Sequence, residues 1–264
     1  ADPPVPAIGA DFGDDVAFYT AHPDDEAMYA GGTLAALAHA GRRVSLVVVS
    51  HGEGGRLLVS LADGGTAERR DLPPADVARL RDDELARAMH VAGVPYAHLY
   101  AATDAVDYGF TTSCREAMAH WDSSLPGGLG EMLARIVDDI RAKRPRVVVT
   151  MDPRDDPQGS RHGHHRAVGT MVELAARAAA DPRVVRTRPP HSVAEVLAFA
   201  PRDAHADVTI ATGSAARVAM LAEHRSQFVA PFEPLAYRDD ELFVVRWRAR
   251  GASAVDALEA LLRR

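Results

Sequence analysis

Residues 15–32 read DVAFYTAHPDDEAMYAGG, and the change of pattern within them decides the fold. The apolar run over 15–21 predicts a short buried strand. The segment that follows places Ala and Leu at helical spacing and predicts a helix that ends near Gly41. A buried strand that passes directly into a helix is typical of strand–helix–strand units, so the stretch favours a parallel sheet.

The same alternation recurs along the chain. Apolar runs predict strands at 42–50, 97–101, 146–152, 194–200, 206–211 and 241–249. Helical spacing predicts helices at 74–92, 128–144, 163–180 and 214–225, and a last helix near the end of the sequence. The alternation indicates an α/β, Rossmann-like fold with a mostly parallel sheet and helices on both faces. We expect an irregular Pro-, Gly- and Asp-rich arm over 1–14 and a single domain over 15–264.

Composition restricts the possible functions. The chain has 264 residues and a net charge of −7, which argues against a nucleic-acid-binding protein. No apolar run approaches the roughly 20 residues that span a bilayer, so no transmembrane segment is expected. Cys114 is the single cysteine, which excludes an intramolecular disulfide. The N-terminal residues lack the pattern of a signal peptide, so we expect a cytoplasmic protein, with secretion after removal of a leader left open.

Two segments after predicted strands are long for connections in a compact domain. They cover 51–74 and 102–114, and loops of this length are often functional. Tyr108, Phe110 and Trp121 either form an apolar wall for a bulky substrate group or belong to the core, which is the commoner place for such side chains.

A histidine and three consecutive acidic residues follow the first predicted strand. His22 lies where the strand ends, and Asp24, Asp25 and Glu26 lie where the helix begins. Acidic side chains are favourable at a helix N-terminus because of its free N–H groups and dipole. Capping explains one or two of the acids but not the histidine, so the stretch is either a solvated helix start or part of a metal site.

The segment RHGHH at 161–165 favours the metal site. It follows the predicted strand at 146–152, and the carboxyl ends of parallel strands meet at one edge of the sheet. His162 and His165 are three residues apart and share a face of a helical turn, whereas His164 points elsewhere.

Imidazole and carboxylate ligands together suit zinc or ferrous iron. Two histidines and one aspartate leave a position for water, as in a catalytic site. The adjacent Asp24 and Asp25 could then divide the roles of metal ligand and general base.

Several motifs in order resemble those of the zinc-dependent N-acetylglucosaminyl deacetylases, the LmbE-like or PIG-L-like family. They are AHPDDE followed by a Gly-Gly helix, then GEGG, RDDEL and a late His-x-x-His, and the resemblance runs from about Val16 to Gln227. The resemblance implies a zinc ion bound by His22, Asp25 and His165.

The resemblance also implies roles for the neighbouring residues. Asp24 would be the general base, His162 would stabilise the oxyanion or protonate the leaving amine, and Glu26 would support them. The family usually reads His-Pro-Asp-His where this chain has Gly163 and His164 in the two middle positions. The loss of the acid puts the orientation of this segment in doubt.

Three positions match the family more loosely. Arg81 in RDDEL resembles an arginine that binds substrate hydroxyls, or it lies on a solvated helix face with i,i+3 pairing. Glu53 in GEGG either holds its loop or touches substrate, and His224 in EHRSQF either lines the pocket or is a core or surface histidine.

The expected function is that of a hydrolase that removes an acetyl or longer acyl group from an N-acylated amino sugar. Its partner would be a small-molecule conjugate, such as an antibiotic glycoside or a sugar–inositol or thiol precursor, and a homo-oligomer is left open. Zinc is the expected cofactor, with Fe²⁺ or another divalent transition metal as the alternative. Two other functions remain: the same metal site acting on a non-sugar amide, and an inactive sugar-binding protein.

Overall fold

The computed structural model describes residues 13–154, 162–200, 205–249 and 257–262. The predicted arm over 1–14 therefore lies outside the described residues except for its last two. Within the described ranges the chain alternates strands with helices, as the sequence predicts.

Nine strands and seven α-helices are described, together with a 3₁₀ turn at Pro234–Tyr237. The strands are β1 Val16–Thr20, β2 Val44–Val48, β3 Leu57–Ser60, β4 Thr66–Arg69, β5 Tyr96–His98, β6 Val147–Thr150, β7 Glu195–Phe199, β8 Val208–Ala211 and β9 Asp240–Arg248. The helices are α1 Asp25–His39, α2 Pro74–Ala92, α3 Cys114–Ser124, α4 Gly128–Lys143, α5 Gly163–Ala180, α6 Ala215–Leu221 and α7 Ala257–Leu262.

The main sheet has seven strands in the order β5-β2-β1-β6-β7-β9-β8. β5, β2, β1, β6 and β7 run parallel, and β9 is antiparallel to both of its neighbours. The order of the strands reverses between β1 and β6, and ligands bind in such sheets outside the carboxyl ends of the strands at that point. His22 follows β1, and the late histidine segment follows β6, so the topology brings both motifs to this crevice.

Helices cover both faces of the sheet. α1, α2 and α6 pack against one another, and α3, α4 and α5 form a second group. Every residue of β1, β2, β6 and β7 is buried, as is required of parallel strands covered on both faces. None of the helices in the described ranges is long and apolar enough to cross a membrane.

The predicted α/β fold is confirmed, and α2 and α5 have the predicted bounds. The predicted strand at 97–101 is wrong in its limits, because β5 covers only Tyr96–His98. The predicted helix at 214–225 is too long, because α6 ends at Leu221.

The strands β3 and β4 and the helix α3 were not predicted. The segment 51–74 contains an antiparallel hairpin of β3 and β4, and β4 is almost wholly exposed, so it lacks an apolar alternation. Helix α3 buries only Ala117 and Trp121, so its apolar stripe is too narrow to predict a helix from the sequence. Its N-terminus does carry a signal, because Ser113 is an N-cap residue whose side chain accepts a hydrogen bond from the Glu116 N–H.

Candidate metal and catalytic site

The turn from β1 into α1 sets the directions of the first site residues. Asp24 precedes the helix with φ 117° and ψ −27°, a strained conformation for a residue with a side chain. Its N–H donates to a carboxylate oxygen of Glu26 at 2.9 Å, which fixes the turn. Residues held in such conformations cluster at functional sites.

His22, Asp25 and His165 form a compact triad. Nδ1 of His22 lies 3.2 Å from Nε2 of His165 and 3.6 Å from Oδ2 of Asp25. Oδ1 of Asp25 lies 3.1 Å from the same nitrogen of His165. Ligand atoms around a tetrahedral zinc ion are about 3.3 Å apart, since each bond to the ion is about 2.0–2.1 Å. The distances of 3.1 and 3.2 Å from Nε2 of His165 to the other two groups are close to this spacing, as one shared ion requires.

The backbone orients the Asp25 carboxylate. Its Oδ2 accepts the N–H of Ala21 at 3.1 Å and that of His22 at 2.9 Å, so Oδ1 is turned towards His165. Burial opposes ionisation, but His165 and His22 outweigh it and hold the pKa of Asp25 well below its usual range. The group is thus an anionic carboxylate, oriented by the backbone, that could bind a cation.

A second grouping, His22, His162 and His164, also has ligand atoms within 4.8 Å of one another. It presents the other nitrogen of His22, whose Nε2 lies 3.3 Å from Nδ1 of His164. The second grouping consists of imidazoles alone, whereas the first triad includes the buried carboxylate of Asp25, which offsets part of the charge of an ion. The triad with Asp25 is therefore the better metal site.

Arg81 holds Asp24 at the edge of the cavity. The guanidinium is buried and donates to Oδ2 of Asp24 at 2.9 Å and to the carbonyl oxygen of Gly52 at 3.2 Å. The alternative that Arg81 lies on a solvated helix face is therefore wrong. Burial raises the pKa of Asp24 to about 6, although the neighbouring Arg81 opposes the shift.

His162 lies at the N-terminus of α5 and faces the same cavity. Its Nδ1 accepts the N–H of His164 at 3.2 Å, so the hydrogen of the neutral ring is on Nε2. Burial and the nearby His22 lower the pKa of His162, which keeps the ring neutral. The side chain therefore offers one N–H donor to a group bound in the cavity.

The site opens into a cavity of about 650 Å³ that has the triad, Asp24 and His162 on its wall. Apolar side chains on the wall include Tyr29, Phe110, Phe199, Phe228 and Leu235. Of the three aromatic residues considered for an apolar wall, Phe110 lines the cavity and is 68% exposed. Trp121 is a core residue instead, and its ring stacks on His164 with centroids 5.3 Å apart.

A family profile described as PIG-L, GlcNAc-PI de-N-acetylase, matches residues 17–176, which include every residue of the triad. The chain belongs to the PIG-L family. The match ends within α5, so the later strands lie beyond the region that defines the family.

Curated proteins of the PIG-L family show the same likeness. The chain is 34% identical over 165 residues to a 1D-myo-inositol 2-acetamido-2-deoxy-alpha-D-glucopyranoside deacetylase of Catenulispora acidiphila, which covers 61% of this chain and 48% of that protein. It is 35% identical over 180 residues to the deacetylase of the same name from Streptomyces griseus, covering 67% of this chain and 52% of that protein. The chain thus spans about half the length of the curated relatives it matches.

The fold is also that of a solved structure, N,N'-diacetylchitobiose deacetylase from Pyrococcus horikoshii. The two share 18% sequence identity with a TM-score of 0.64, over 87% of this chain and 82% of that chain. At this identity the likeness supports the fold alone.

The departure from the PIG-L family pattern at Gly163 has a physical reason. Its N–H donates to the carbonyl oxygen of Thr111, which a proline could not do. A Cβ at this position would lie 2.6 Å from the carbonyl oxygen of Ser113. The glycine is therefore needed because the loop over 102–113 passes directly against the start of α5.

The same loop supplies a carboxylate beside His164. Oδ1 of Asp107 lies 3.6 Å from Nδ1 of His164, and Oδ2 lies 3.9 Å from Nε2 of His22. Asp107 is buried and was not among the predicted site residues. Its signal in the sequence was weak, because a single aspartate in a long loop carries no motif.

Glu53 and His224 lie behind the cavity wall. Both oxygens of Glu53 accept hydrogen bonds from backbone N–H groups, that of Asp107 at 2.8 Å and that of His51 at 3.0 Å. Of the two alternatives considered for Glu53, these bonds favour the one in which it holds its loop. His224 is fully buried, and its Nε2 lies 2.7 Å from Glu26. Burial alone would lower the pKa of His224, but the Glu26 carboxylate outweighs it and raises the pKa. His224 is therefore a core histidine that braces Glu26.

Proposed function

We propose that this protein is a metal-dependent hydrolase that removes an N-acyl group from an amino sugar within a small-molecule conjugate. The observation that carries the proposal is the triad of His22, Asp25 and His165, spaced for one ion and adjoined by Asp24 and His162 in one cavity. Membership of the PIG-L family supports the same reaction.

The donor set of the triad fits a divalent transition metal. Two imidazole nitrogens and one carboxylate oxygen favour zinc, and Fe²⁺ or a similar ion suits the same donors. A divalent cation bound there supplies Lewis acidity, which acidifies a water molecule and polarises a carbonyl oxygen. We assign His22, Asp25 and His165 as its ligands.

Asp24 acts as the general base. Arg81 occupies only one of its carboxylate oxygens, and the side chain lies on the cavity wall next to the ligand Asp25. Asp24 takes a proton from the attacking water as the water oxygen bonds to the acyl carbon. Arg81 holds this carboxylate in place and also lines the cavity, where it can meet the hydroxyl groups of a bound sugar.

His162 stabilises the charge that develops on the acyl oxygen. Its Nδ1 is engaged with the backbone, so Nε2–H is the group available to donate. The carbon–nitrogen bond then breaks, the leaving amine takes the proton that Asp24 received from the water, and the acyl group is released as a carboxylate. Glu53 and His224 support the loops and Glu26 rather than touching the substrate.

The apolar wall of the cavity supports a conjugate as substrate. A cavity of about 650 Å³ exceeds what one monosaccharide fills, and exposed Phe110 offers an apolar surface beside His162. The curated relatives are named for a glucosamine–inositol conjugate, so that compound is the first to test.

The test is release of free amine and carboxylate from a panel of N-acyl substrates by the zinc-loaded protein. The panel contains 1D-myo-inositol 2-acetamido-2-deoxy-α-D-glucopyranoside, N-acetylglucosamine, chitooligosaccharides, N-acyl glycosides with apolar aglycones, and acylated non-sugar amines. The proposal expects turnover of a sugar conjugate. Turnover of non-sugar amides alone would contradict the amino-sugar substrate and assign the site to another class of amide. Binding of sugars without any turnover would contradict the proposal that the protein is a hydrolase.

A further inference from the structure

The chemical character of the cavity wall changes along the sheet. Towards β7, apolar side chains reach the wall from α1, from the end of β7 and from the 3₁₀ turn. We call Tyr29, Phe199 and Leu235 the β7 patch. Phe110 lies on another part of the wall, where its ring contacts that of His162 with centroids 4.8 Å apart.

Tyr29 places the β7 patch directly beside a residue of the triad. Its ring is nearly perpendicular to that of His165, with centroids 6.1 Å apart. The same ring stacks on Phe199 with centroids 5.6 Å apart, and Phe199 packs against Phe243 of β9 at 6.0 Å. The core therefore holds both rings in place before a ligand binds, which lowers the entropic cost of binding an apolar group there.

Leu235 is fixed on the wall through a buried ion pair. Its carbonyl oxygen accepts a hydrogen bond from the Arg217 guanidinium at 2.7 Å. Arg217 pairs with Glu241 of β9 at 2.8 Å, and the Glu241 carboxylate also accepts two N–H groups of α1. The 3₁₀ turn is thus tied to α1 and β9, the elements that carry Tyr29 and Phe243. Glu233 before the turn also lines the cavity but is exposed, so its charge stays in water.

Charged hydrogen-bonding groups lie on the opposite side of the triad. Arg81 and Asp107 are both buried and both line the cavity. Arg81 donates to the carbonyl oxygen of Gly52, and the Asp107 N–H donates to Glu53, so both residues contact the loop after β2. The triad follows β1 and β6, which lie between β2 and β7 in the sheet. It therefore separates these charged groups from the β7 patch.

This division orients a bound amide. In a trans amide the sugar on the nitrogen and the acyl chain on the carbonyl carbon point away from each other. Sugar hydroxyls find partners in Arg81 and Asp107, whereas a hydroxyl buried against apolar side chains without a partner is costly. The acyl chain then points towards the β7 patch.

We propose that the β7 patch binds an apolar acyl group longer than acetyl, such as butanoyl or hexanoyl. The inference rests on the proposed hydrolase activity and names the acyl class of its substrate. A single methyl group is too small to cover side chains from three separate elements, whereas a longer chain displaces water from all of them. Burial of one methylene is worth about fourfold in affinity.

The first test measures binding apart from catalysis. Acetate, butanoate and hexanoate carry the acyl chain of the released product, and their affinities for the zinc-loaded protein are measured by calorimetry. Affinity should rise with chain length by up to about fourfold for each methylene. Tyr29→Ala and Leu235→Ala should each lower the ratio of hexanoate to acetate affinity about tenfold. Leu235 is half-buried in a surface turn, so its variant carries the test if Tyr29→Ala does not fold.

Matched controls change the same residue types away from the cavity. Tyr96 and Leu174 are exposed and do not line it, so Tyr96→Ala and Leu174→Ala should leave the ratio unchanged.

The second test measures turnover. The ratio of kcat/KM for an N-hexanoyl amino-sugar conjugate to that for its N-acetyl counterpart should exceed about tenfold in the wild-type protein. This ratio should fall in Tyr29→Ala and in Leu235→Ala.

Equal affinities for acetate and hexanoate would overturn the proposal, as would a preference for hexanoate that both patch variants retain. Turnover of N-acetyl conjugates together with equal carboxylate affinities would support the hydrolase and contradict the acyl assignment. Affinity that rises with chain length, without turnover of any N-acyl substrate, would support binding by the patch and contradict the hydrolase.

Discussion

The replacement of Asp24 by asparagine separates catalysis from structure at the centre of the site. Asparagine keeps an oxygen that can accept the bond from Arg81, which now spans 2.9 Å. Asparagine also tolerates positive φ better than most residues, and φ is 117° at this position. The substitution therefore removes the carboxylate base while leaving the local contacts in place.

The expected loss of rate follows from the role of the base. A positioned general base contributes about 10²–10⁴-fold to a rate. Asp24→Asn should lower kcat by that factor, or about 3–5 kcal/mol of transition-state stabilisation. The ligands of the triad are unchanged, so metal content should remain that of the wild-type protein.

Asp24→Ala provides the contrast. It removes the oxygen that accepts the hydrogen bond from the buried guanidinium of Arg81, which asparagine retains, and a buried donor left unsatisfied costs about 1–3 kcal/mol of folding free energy. It also places alanine at a positive φ. Both variants should lose activity, but only Asp24→Ala should show a large fall in the free energy of unfolding.

The assays are amine release on the best substrate of the panel, elemental analysis and denaturant unfolding. The reasoning is refuted if Asp24→Asn, folded and fully loaded with metal, keeps its kcat within tenfold of the wild-type value. Equal stability of Asp24→Ala and the wild-type protein would refute the structural half of the argument.

Three further changes test the surroundings of the site. Gly163→Ala should lower the free energy of unfolding by about 1–3 kcal/mol in denaturant titrations, because the new Cβ would meet the Ser113 carbonyl. Gly130→Ala is the control and should be neutral or stabilising, because the space at its Cβ is open. Arg81→Lys should lower kcat about 100-fold at unchanged metal content, because a single ammonium cannot hold Asp24 and the loop carbonyls together. Phe110→Ala should raise KM about tenfold for conjugates with apolar aglycones but should leave KM for N-acetylglucosamine unchanged. Val185 is an exposed apolar residue that does not line the cavity, so Val185→Ala should leave both KM values unchanged.

The elements with strong periodicity were predictable from the sequence. Helices α2 and α5 have the predicted limits because their buried faces repeat at helical spacing, and Pro74 marks the start of α2. The hairpin of β3 and β4 escaped prediction because exposed, charged strands carry no apolar alternation.

The site was predictable where its residues form motifs next to strands. His22, Asp25 and the late histidines follow β1 and β6, and the strand order brings these two ends together. Asp107 was not predictable, because its place is set by contacts of an irregular loop with Glu53 and the start of α5. The burial of Arg81 likewise depends on how α2 packs against the turn that precedes α1, which helical spacing alone does not specify.

The recovery of activity by metal-stripped protein tests the central claim most directly. The chelated full chain is titrated with Zn²⁺ or Fe²⁺ while amine release from the best N-acyl substrate is followed. We expect no turnover without metal, recovery as the ion is added, and no recovery in Asp25→Ala or His165→Ala at the same metal concentrations. Hydrolysis by the stripped protein at the rate of the loaded one, or full recovery in either variant, would contradict the account.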